Sequence, residues 1–86
     1  MGTKKCYRIE VVSNLRKGII TYQVSNSVEL LIGTLNKLNN IADMSGITSS
    51  GEWYESCRVN DKMLIVKRYS LDRHEMLTYS IIENPE

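Results

Sequence analysis

The sequence predicts an α+β fold: an antiparallel sheet of about five strands, in the order β-β-α-β-β-β, with one amphipathic helix packed on one face. Three observations carry this expectation. Apolar residues recur at helical spacing in one segment only, Asn26 to Gly46. The segments around it alternate apolar and polar residues or are rich in β-branched and aromatic side chains. Short clusters of Asn, Asp, Gly and Ser punctuate them where tight turns are needed.

Residues 5–25 read as an N-terminal hairpin. Over 5–12, Tyr7, Ile9 and Val11 fall on one face and Cys6, Arg8 and Glu10 on the other, the pattern of a half-buried strand. Ser13 to Gly18 supply the turn, with Asn14 or Gly18 available for a positive φ. The returning strand, 19–25, is expected to turn Ile20, Tyr22 and Val24 inward and Ile19, Thr21 and Gln23 outward.

The helix is expected over 27–45. Val28, Leu31, Leu35, Leu38 and Ala42 form its apolar stripe, which Ile41 widens. Asn26 followed by Glu29 fits a capping box, and Gly46 is suited to the C-terminal stop.

The C-terminal strands occupy 52–82. The first, 52–59, places Trp53, Glu55, Cys57 and Val59 on one face, read as the inward one, and Asn60 to Lys62 turn the chain. Residues 63–70 are apolar on both faces over their first half, as in an internal strand or one whose second face meets a partner. A turn at 71–74 leads to a last strand at 76–82. The alternative for 71–82 is a C-terminal helix; Thr78, Tyr79, Ile81 and Ile82 favour the strand.

The chain of 86 residues reads as one domain, 1–86, with the composition of a globular protein: 42% hydrophobic and 24% charged. Its net charge of +1 hides a basic start, where Lys4, Lys5, Arg8, Arg16 and Lys17 face only Glu10 over residues 1–17. Such residues can touch phosphate, or can serve as solvated charges that guard an edge strand against aggregation. Two cysteines, Cys6 and Cys57, with no Cys-x-x-Cys pair do not make a disulfide framework. No apolar run approaches 18 residues, and Cys6 stands where a myristoylation signal needs Ser or Thr, so a cytoplasmic protein with reduced thiols is expected.

Catalytic and metal chemistry find little support. GITSSGEW at 46–53 has phosphate-loop glycine spacing, but Glu52 and Trp53 replace the Lys and Ser or Thr that hold phosphate and metal. His74 with Cys57 or Cys6 is a weak nucleophile and base pairing, and Asp72, His74 and Glu75 are a weak metal triplet. No cofactor, metal or catalytic residue is expected.

Two binding functions remain. The first is a small non-catalytic protein-interaction module, a homodimer or an accessory or inhibitory subunit of the kind common in phage and mobile elements. If Ile9, Ile20, Leu64 and Val66 pack under the helix, then Val12, Ile19, Met63, Ile65 and Ile82 fall on the other face. Of these, Ile19, Met63 and Ile65 are the expected protein-binding residues, and an edge strand is a second route to a partner. The alternative is nucleic-acid binding through Lys4, Arg8, Arg16, Lys17 and Arg68, with the strand tyrosines stacking bases.

Overall fold

The computed structural model describes residues 5–45 and 53–84, the side chains of 41–45 excepted. Lys4, Gly46, the 46–52 linker with Glu52, and the Ile41 and Ala42 side chains therefore lie outside the described residues.

Strands β1 (Tyr7–Ser13) and β2 (Ile20–Ser25) are followed by helix α1 (Val28–Ser45), then β3 (Trp53–Asn60), β4 (Met63–Ser70) and β5 (Arg73–Glu83). The strands form one antiparallel sheet in the order β2-β1-β5-β4-β3, with the helix as the sole helical element described. The expected α+β architecture is the one observed. The C-terminal segment is strand, and it starts earlier than expected. Ser70 pairs directly with Arg73, so the turn shrinks to Leu71-Asp72. A helix over 71–82 is excluded because β5 pairs with β4 over 73–80 and with β1 over 77–83, so its backbone is taken up by sheet hydrogen bonds.

The β1–β2 turn uses Gly18, at φ +93°, for its left-handed residue, and Asn14 does not take that role. The helix is capped one residue later than the capping box implies. Ser27 Oγ accepts the Leu30 N–H at 3.3 Å and donates to Glu29 Oε2 at 3.3 Å, so Ser27, not Asn26, is the N-cap.

Leu31 and Leu35 are fully buried against Ile9 and Leu64, with Val11, Val66 and Ile81 completing the core. Val28, Ile32 and Leu38 flank it from the helix. All five sheet residues of this core belong to the inner strands β1, β5 and β4. The outer strands meet the helix differently. Thr34 Oγ1 donates to Gln23 Oε1 on β2 at 2.9 Å. On β3, Ser56 Oγ donates to Asn39 Oδ1 at 2.6 Å and Arg58 Nε to Asn36 Oδ1 at 3.1 Å.

Two face assignments are corrected by this arrangement. On β2, Gln23 turns toward the helix and Val24 falls on the open face, whereas Ile20, paired with Val11, keeps the expected side but is exposed. A bulge assists: Ile9 pairs with Gln23 but Glu10 with Thr21, leaving Tyr22 as the extra residue. Its ring reaches Tyr79 edge-to-face, at 5.8 Å between centroids. On β3, Ser56 and Arg58 face the helix, so Trp53 and Cys57 stand exposed on the opposite face and Cys57 is not core filler. Nor is basic β1 an edge strand, since it lies between β2 and β5.

Replacing Ser27 by Ala should lower stability by about 1 kcal/mol, whereas Asn26→Ala should cost much less. Urea unfolding of both variants checks this; equal losses would mean that Ser27 is not the cap.

Candidate functional site

The helix covers one face of the sheet, and strand alternation fixes what lies on the other. From register, Val12, Thr78, Ile65 and Cys57 form one row across β1, β5, β4 and β3. Glu10, Ser80 and Met63 form the next, with Arg8 and Ile82 beyond it. In the other direction come Met76, Lys67 and Glu55, and finally His74, Tyr69 and Trp53. Met63, Ile65, Thr78 and Ile82 are half-buried by their neighbours, and Val12, Val59 and Met76 are exposed. Two of the three expected protein-binding residues, Met63 and Ile65, are therefore neighbours on this open face. Ile19 stands just before β2 and is 62% exposed.

The expected nucleic-acid set is not brought together. Arg8 lies on the open face, where Glu10 receives both its Nε, at 2.9 Å, and its Nη2, at 2.8 Å, and Asn84 receives Nη1. Arg68 lies on the helix face, bridged to Glu75 at 3.4 Å and set over the Tyr54 ring at 5.6 Å. Arg16 and Lys17 are exposed in the β1–β2 turn.

Glu75 is a buried carboxylate, accepting the Ser13 hydroxyl at 2.7 Å as well as Arg68. Its partners satisfy it, which makes it part of the frame rather than of a free site. Nearby, burial raises the Tyr79 phenol above the ordinary tyrosine range; Tyr22 and the Glu75 carboxylate add to the effect and Arg68 opposes it.

The last row is a feature that sequence reasoning missed. The Tyr69 and His74 rings meet edge-to-face, 5.1 Å apart at 84°. Beside them opens a cleft of about 490 Å³ lined by Trp53, Glu55, Tyr69, Ser70, Leu71 and His74. Across the Tyr69–His74 pair lies a second, of about 240 Å³, bordered by Asn14, Lys67, Tyr69, His74, Glu75 and Met76. The Tyr69 hydroxyl donates to Glu55 Oε2 at 2.9 Å, and this bond, with partial burial and the carboxylate charge, raises the Tyr69 pKa. The signal was present: with a two-residue turn at Leu71-Asp72, Tyr69 must face His74.

His74 sits on a strand, not in a turn. Four residues and two strands separate its place from that of Cys57, roughly 16 Å by strand geometry. Among the described residues no group of three His, Cys, Asp or Glu could hold a metal ion, and no helix is long and apolar enough to cross a membrane. No family model, curated protein or solved structure matches this chain.

Glu55→Gln removes a charged acceptor from Tyr69, so its phenol should titrate at lower pH, back toward the ordinary tyrosine value. Carbon-13 NMR of labelled tyrosines follows this directly. An unmoved Tyr69 titration would show that the hydrogen bond is not made in solution.

Proposed function

We propose that this protein is a non-catalytic interaction module, working in the cytoplasm, whose open sheet face binds a protein surface. The partner is a second copy of the chain or a larger assembly to which it is an accessory or inhibitory subunit. One observation carries the reading: a five-stranded sheet with one covered face presents Met63, Ile65, Thr78 and Ile82, rimmed by Val12 and Val59, on the other. Apolar side chains interspersed with the hydroxyls of Thr78 and Ser80 and rimmed by charge, here Arg8, Glu10 and Lys67, are compatible with an interface core and rim.

Light scattering after size exclusion, at low and high salt, is the direct test. A salt-stable dimer that Ile65→Lys converts to a folded monomer supports the self-association form. A wild-type monomer at both salts, with no partner lost by Ile65→Lys in pull-downs from native extract, would remove the reading.

A second reading, nucleic-acid binding, is favoured by one observation. Exposed Arg16, Lys17, Lys67 and Arg73 lie at the end of the sheet that carries Trp53, Tyr69 and His74, since the Asn14 N–H bonds to the Met76 carbonyl there at 3.2 Å. The ion pairs of Arg8 and Arg68 weigh against it. It predicts binding to single-stranded RNA or DNA that falls steeply with salt and weakens when Arg16 and Lys17 are both replaced by Ala. Absence of binding at low salt would dispose of it.

A further inference from the structure

We infer that the cleft beside Trp53 is a recognition site for a cationic side chain, a guanidinium above all, presented by the protein partner. The occupant's identity as a protein side chain rests on the reading of the open face as a protein-binding surface; the chemistry of the cleft does not. Trp53 is the single tryptophan of the chain, yet 46% of it is exposed, at a strand end outside the core formed by the described residues. Register sets it beside Tyr69, which is in turn beside His74, on three adjacent strands of one face. Side-by-side aromatic rings bordering an open cleft offer π faces, which attract cations and planar groups.

The carboxylate decides between those ligands. Glu55 lines the same cleft, and Tyr69 holds one of its oxygens at 2.9 Å. Carboxylate oxygens carry further lone pairs, so the group, oriented by Tyr69, still accepts hydrogen bonds from a donor in the cleft. Among the described residues that line the cleft, Glu55 is charged and none is Lys or Arg, so a nucleotide stacked on the rings would meet that carboxylate. A guanidinium is planar, stacks on aromatic faces and donates in a fork to a carboxylate, which matches the Trp53 and Tyr69 rings and Glu55. The volume of about 490 Å³ exceeds one guanidinium and leaves room for flanking peptide. Lys67 lines the smaller cleft across Tyr69 and His74 and is also the cross-strand neighbour of Glu55, so it competes for that carboxylate with an incoming cation and its removal should not weaken binding.

Trp53 is itself the reporter. The full chain is titrated with an acetylated, amidated Ala-Arg-Ala peptide while tryptophan emission is followed, with Ala-Gln-Ala and adenosine monophosphate as comparisons. The arginine peptide should give a saturable change, on the order of millimolar, and the glutamine peptide none. Glu55→Gln should weaken the response roughly tenfold or more, while Lys67→Ala should not weaken it. No saturable change with the arginine peptide, an equal change with the glutamine peptide, or tighter binding of the nucleotide would each overturn the inference. The comparison of peptides on the unaltered protein stands even if a variant fails to fold. The self-association measurement reads Ile65 and its neighbours, so failure at the cleft leaves the wider interface reading to be judged separately.

Discussion

The width of one helix governs this molecule. An 18-residue helix spans about 27 Å, enough to pass from the β2 edge to the β3 edge, which lie about 19 Å apart. Its apolar stripe is narrower than the sheet. Leu31 and Leu35 seal Ile9, Val11, Ile81, Leu64 and Val66, and those residues sit on β1, β5 and β4 alone. At both flanks the helix has turned polar, so the outer strands join it by hydrogen bonds: Thr34 to Gln23 on one side, Asn36 and Asn39 to Arg58 and Ser56 on the other. The fully buried sheet residues come from three strands, and the outer two are held by pairing and polar seams, with Tyr54 of β3 adding apolar contact at the core's margin.

That division explains which parts were legible in the sequence and which were not. The helix stripe, the inward residues of β1 and the two-sided apolar character of β4 follow from burial, and burial is what periodicity reports. The faces of β2 and β3 do not. Reading Val24 as inward and Gln23 as outward assumes that the covered side of a strand is apolar, and at a polar seam that assumption reverses. Trp53 and Cys57 fail for the same reason. The bulge at Tyr22 adds a local shift of register that no alternation pattern encodes. The missed aromatic row has a different cause. It depends on a turn of two residues, and a turn read as four residues moves His74 off its strand and away from Tyr69.

The same constraint creates the open face. Residues excluded from beneath the helix have nowhere else to go, and the chain sorts them along the strands. Apolar side chains gather near Ile65, and rings with Glu55 gather near the β4–β5 turn. The cationic groups are scattered by comparison, because Arg8 and Arg68 are drawn to Glu10 and Glu75 on opposite faces. A chain with a markedly basic start therefore does not display a single basic surface from those residues.

An antiparallel sheet that is open at both edges has a choice between pairing strand to strand and docking face to face. Here both edges are irregular. Tyr22 is an extra residue on β2, and on β3 Arg58 pairs with Leu64 but Asn60 with Met63, leaving Val59 unpaired. A bulge bends the strand and breaks the even spacing of donors and acceptors that an incoming strand must match. On β3, charged Glu55 and Arg58 add a further penalty against an apolar strand; β2, which carries no charge, relies on its bulge. Strand addition is thus disfavoured at both ends of the sheet, and the open face, which is continuous across four strands, is the surface on which association costs the least backbone rearrangement.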